Sequence, residues 1–173
     1  MDSDTKLYLE RAENELRLAE MIMLLSVNLD IQAKIPDISK TDTYFSSVIS
    51  HAYYSIFYTS KAYLTTKGII TKTPNEHKNT YNQFKKFVSQ GVVDKELLIL
   101  YEDVLVKADY LLGIFKIEKK KRGEFTYQRI AQANLEPAKE SLENTKTFLK
   151  HIYDLCNTPK WAKFVKTAIT DLI

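Results

Sequence analysis

The chain has 173 residues, 45% of them hydrophobic and 27% charged, enough for one domain with a core of its own. Its net charge of +3 permits contact with a nucleic acid without demanding it, and its one cysteine, Cys156, excludes an intramolecular disulfide and a cysteine-based zinc cluster. Four glycines and four prolines suit long helices with few turns.

The N-terminal run is acidic and amphipathic, without the basic start and apolar core of a signal peptide, so the cytoplasm is the expected compartment. Asp2 to Asp4 offers caps for a first helix. Leu9, Ala12, Leu16, Ala19 and Met23 follow in steps of three and four. Leu18, Ile22, Leu25 and Leu29 add a second stripe, which predicts that this helix ends deeply packed. Residues 28–40, with Pro36, read as a loop.

A central helix is expected from Asp42 or Thr43 to Lys67, with Gly68 as its stop. Phe45, Ile49, Ala52, Ile56 and Tyr63 form one apolar row, and Val48, Tyr53, Phe57 and Leu64 a second. Lys61 is the one formal charge from Tyr44 to Leu64. A helix apolar nearly all round belongs at the centre of a bundle. Its serines, threonines and tyrosine hydroxyls argue against a membrane span. A shorter helix opens at Pro74 and Asn75 and closes at Gly91, with His77, Tyr81, Phe84 and Val88 on one face. Asp94 caps a fourth, whose stripe is Leu97, Tyr101, Val104, Ala108, Leu111 and Phe115.

Residues 116–129 change character. Lys119, Lys120, Lys121 and Arg122 are consecutive, and Gly123 follows. This run reads as a basic turn closing the fourth helix. Ala131, Leu135, Ala138, Leu142, Thr145, Leu149 and Ile152 predict a last long helix, which starts near Asn134 or kinks at Pro137. Pro159 ends it. The segment Lys160–Ile173, with Trp161, Phe164, Val165, Ala168 and Leu172 on one side, is amphipathic. It suits docking on its own bundle, on a dimer partner or on a membrane surface. The expected fold is all-α: an up-down bundle of four to five helices over residues 1–157, with a helical appendage at 158–173.

Several residues offer chemistry, each with a plainer alternative. Lys119, Lys120, Lys121 and Arg122 can hold a phosphate, or simply suit the C-terminal dipole of a helix. Lys61, in a buried helix, needs a phosphate or a carboxylate such as Glu76 or Asp109. His77 sits at a helix start, where an anion can bind or where it can pack. His51 faces a groove or the core. Tyr53, Tyr54 and Tyr58 stack a base or fill the interior. No Glu-x-x-His pair, glycine-rich phosphate loop or nucleophile elbow occurs. Neither a metal nor a cofactor is expected.

The stretch S-H-A-Y-Y-S-I-F-Y-T-S-K-A-Y-L, Ser50 to Leu64, followed by Lys67 and Gly68, resembles the central helix of the HEPN superfamily of helical nucleotide-binding domains. Residues 72–88, KADYLL at 107–112, EKKKRGEFTY and QANLEPAKESLEN resemble later segments of small prokaryotic members. The resemblance implies a helical bundle, a homodimer, and one of two roles. Some members are metal-independent endoribonucleases. Others are non-catalytic partners of minimal nucleotidyltransferases in toxin–antitoxin pairs, or modules that bind nucleotide or RNA. The nuclease members carry Arg and His four to six residues apart. Here no arginine is followed by histidine at that spacing, and His51, Tyr58 and Lys107 stand at the positions of interest. The resemblance therefore implies a non-catalytic member that binds phosphate. The alternatives are a divergent endoribonuclease using Arg122, Tyr127 and Lys107 at a dimer interface, and a helical scaffold without ligand.

Overall fold

The computed structural model describes residues 1–39, 42–101, 108–127 and 135–157, with the backbone alone at 98–101 and 126–127. Seven helices lie among them: α1 (Ser3–Val27), α2 (Leu29–Gln32), α3 (Phe45–Thr66), α4 (Glu76–Ser89), α5 (Val92–Tyr101), α6 (Ala108–Tyr127) and α7 (Leu135–Asn157). The appendage expected at 158–173 lies outside the described residues, as do Lys107 and the start expected near Asn134. None of the described helices is long and apolar enough to cross a membrane.

α3 is the centre, as its double apolar row requires. It packs against α1, α4, α6 and α7. Val48, Ile49, Ala52, Tyr53, Ile56 and Tyr63 are fully buried on it. Cross-contacts give the directions. Glu15 meets His51 and Tyr8 meets Tyr58, so α1 runs antiparallel to α3. Arg122 meets Tyr54 while Phe115 meets Tyr53, so α6 lies alongside as well. Asn144 and Glu140 of α7 meet Glu118 and Lys121 of α6, which makes that pair antiparallel. The Thr145 hydroxyl donates to the buried Ala52 carbonyl at 3.1 Å, tying α7 to α3.

The helix ends are built from local chemistry. The Asp2 carboxylate accepts the Thr5 amide at 2.8 Å, capping α1. α3 closes with the Gly68 amide on the Thr65 carbonyl and the Ile69 amide on the Leu64 carbonyl, both at 2.9–3.0 Å. That pattern needs a left-handed residue, and Gly68 supplies it at φ +73°. Asn28 opens α2 with its side chain, so part of the expected 28–40 loop is a helical turn.

Three expectations are corrected. The later half of α1 is packed on one side only: Ala19 and Ser26 are buried, while Leu18, Met21 and Leu24 are 40%, 67% and 51% exposed, as is Leu29 of α2 at 57%. The Leu9–Ala12–Ala19 side faces α3, joined by Leu16, Ile22 and Met23 against the cluster of Phe45, Val48 and Ile49, so the second stripe is packed at Ile22 and exposed at Leu18. Asp94 is already inside α5, and its carboxylate accepts the Ala108 amide at 2.8 Å, holding the start of α6. The basic run is not a turn. α6 continues through Lys119–Arg122 and Gly123 to Tyr127. Lys, Arg and Glu are good helix formers, and Gly123 costs only about 1 kcal/mol.

Candidate functional site

Consecutive helical residues point in different directions, so α6 distributes its four cations. Lys120 is exposed and pairs with Glu124 at 3.4 Å. Lys121 turns toward α7, between Glu118 at 3.1 Å and Glu140 at 2.8 Å. Glu118 is fully buried and also accepts from Asn144 at 2.9 Å. The charge of Lys121 is thus committed to the α6–α7 contact. Lys119 and Arg122 turn the other way, toward α3 and α4.

There they meet aromatic rings. The Arg122 guanidinium lies 5.6 Å from the Tyr53 ring centre and 5.1 Å from that of Tyr54, and its Nη2 donates to the Tyr54 hydroxyl at 2.9 Å. The Lys119 ammonium lies 5.0 Å from the Tyr81 ring. Between them sits His77, in the first turn of α4. Its ring is 4.0 Å from that of Phe57, and its Nδ1 shares a 3.0 Å hydrogen bond with the Tyr53 hydroxyl. Burial pushes the Tyr53 hydroxyl far above the usual tyrosine range despite the nearby Arg122. It therefore stays protonated, and the imidazole tautomer sets which of the two groups donates.

Burial holds His77 below the usual histidine range, and Arg122, Lys119 and Lys61 add to this against the opposing pull of Glu76. Lys119 is also held below its ordinary value, first by burial and then by repulsion from Lys78. Lys61 differs. Burial disfavours its charge, but hydrogen bonds to Glu76 and Tyr8 outweigh that and raise it above the usual lysine range. Its ammonium is paired with Glu76 and lies 4.4 Å from the Tyr8 ring. Lys61 is thus a structural ion pair linking α3 to α4, with Glu76 as the partner, while Asp109 is exposed. The positive charge acting on His77 comes from Arg122, Lys119 and Lys61, and Lys78 acts in turn on Lys119.

An anion beside Lys119 and Lys78 would relieve their repulsion, and the guanidinium fork of Arg122 suits a phosphate. Of the residues expected from the sequence, Arg122, Lys119, His77 and Lys61 come together. Lys120 and Lys121 do not join them. Tyr127 ends α6 beyond the described side chains. His51 is half-buried and bonded to Glu15 at 2.6 Å, in contact with α1.

The wall formed by α1 went unnoticed in the sequence. Tyr8 stacks near Tyr58 with ring centres 6.4 Å apart and planes within 14°, and Arg11 lies 4.9 Å over Tyr58. Tyr54 and Tyr58 are themselves 6.5 Å apart, at 28°. Tyr8 and Arg11 lie off the apolar stripe of α1, so periodicity gives no signal for such a contact.

Among the described residues no group of three or more His, Cys, Asp or Glu side chains could hold a metal ion. Elsewhere, an open groove of about 320 Å³ between α1 and α7 has Leu16, Leu149 and Tyr153 in its lining. Lys146 on its rim is paired with Glu20 and Glu143 at 3.3 Å each. No family model matches the chain, and no curated protein is significantly similar to it.

Proposed function

We propose that this chain is a non-catalytic HEPN-like domain that binds the phosphate of a nucleotide or RNA. In this reading it acts as a cytoplasmic homodimer beside a minimal nucleotidyltransferase, in a toxin–antitoxin-type pair. The observation that carries the phosphate-binding part is geometric: Arg122 lies over Tyr53 and Tyr54, whose rings adjoin His77, and Lys119 lies over Tyr81, one turn along α4 from His77. The family and partner parts rest on the order of sequence segments described above. The non-catalytic part is supported by the engagement of both key groups: Arg122 with Tyr54, and His77 Nδ1 with Tyr53.

One observation favours a second reading, a divergent metal-independent endoribonuclease. An arginine and a neutral histidine stand in the same cluster although they are far apart in the chain. In such a site the histidine takes a hydroxyl proton and the arginine holds the phosphate. Incubating the purified protein with labelled single-stranded RNA decides between the two. The expected result is binding without cleavage, with Arg122→Ala weakening binding about tenfold through loss of a charge-assisted hydrogen bond. Cleavage that is abolished in Arg122→Ala and His77→Ala overturns the non-catalytic reading, and its loss in Tyr127→Phe would add that side chain to the site.

A further inference from the structure

We infer that Tyr8, Tyr58 and Arg11 form a base-stacking subsite beside the phosphate cluster, so that the ligand is recognised by a base as well as by its phosphate. This rests on the phosphate-binding reading above. Tyr58 is one helical turn from Tyr54, on the same side of α3, and Tyr54 receives the Arg122 hydrogen bond. The tyrosine array thus begins where the phosphate cluster ends. Tyr8, Tyr58 and Tyr54 are half-buried, with successive ring planes 14° and 28° apart. Half-buried rings of this kind retain accessible surface, whereas Tyr53 and Tyr63 on the same helix are fully buried.

Arg11 occupies the position over Tyr58 that a base would take. Its side chain is exposed, so a planar base exchanges with it readily. Once displaced, the guanidinium turns to a phosphate of the same ligand. Lys61 stays on Tyr8, held by Glu76, and fixes that ring. Stacking on a tyrosine accepts any base, so the subsite distinguishes a nucleotide unit from a bare phosphate without reading sequence.

The test compares two fluorescently labelled octamers by anisotropy, a single-stranded RNA and an abasic chain with the same number of phosphates. The RNA is expected to bind about tenfold more tightly, the value of one stacked base. Tyr58→Leu should remove that advantage and leave binding of the abasic chain unchanged. Tyr8→Leu, at the helix edge, should reduce it in the same direction, and thermal melts of both variants establish that they fold. Equal affinity for the two octamers, or an equal loss on both in Tyr58→Leu, overturns the stacking subsite. Arg122→Gln gives the separate control: if it weakens neither octamer, the phosphate reading itself fails.

Discussion

His77 carries a charge preference that the fold imposes. The unfolded chain titrates this group near 6.5, and the folded chain lower, because burial and three cations oppose the imidazolium. Between those values the unfolded state binds more protons, so stability rises with pH. The stabilising contribution of neutral His77 is complete above about pH 6.5. It is lost as pH falls through the folded value. Chemical denaturation from pH 5 to 8 should show this slope, and His77→Gln should flatten it while keeping a partner for the Tyr53 hydroxyl. An unchanged slope in the variant would place the proton uptake elsewhere. The residues of the cluster were visible in the sequence singly: Arg122 and Lys119 by their basic run, Lys61 by its isolation, His77 by its helix start. Their convergence was not, because a search for Arg and His at short spacing cannot find a pair brought together by two packed helices. Tyr8 and Arg11 carried no signal, since neither falls on the apolar stripe of Leu9, Ala12, Leu16 and Ala19.

α6 shows what the pattern of an element does and does not reveal. Its apolar stripe predicted a helix, and the sudden run of cations predicted a stop. The helix continues because the stems of Lys121 and Arg122 still pack, and because Glu118 is buried with Asn144 and Lys121 as partners. Charge alone therefore misplaced the boundary. Two glycines make the point measurable. Gly123 lies inside α6, and a methyl group there meets nothing within 4 Å. Gly123→Ala should stabilise the chain by about 0.5–1 kcal/mol in urea unfolding. Gly68 has equal space but φ +73°, where a side chain is strained. Gly68→Ala should therefore destabilise by about 1 kcal/mol. A stabilising result at Gly68 would contradict the left-handed closure of α3.

For the whole molecule, the sequence was legible where one element had to be surrounded. The lack of charge along α3 announced its position, and the helical bundle followed. The outer half of α1 was misread because periodicity gives the number of apolar faces but not which of them meets a neighbour. The central place of α3 has a consequence for motion. Its backbone hydrogen bonds are shielded by four neighbouring helices, so the amides from Ala52 to Leu64 should exchange with deuterium only through global opening. The exposed end of α1 near Met21 to Leu24 should exchange through local fraying, orders of magnitude faster. Comparable rates in the two segments would deny that hierarchy. If the hierarchy holds, the row Tyr54–Tyr58 belongs to the slowest part of the protein, and any accommodation of a ligand falls to the sides. The floor keeps time with the whole fold, while Arg11 on one bank and Lys119 on the other rearrange within nanoseconds.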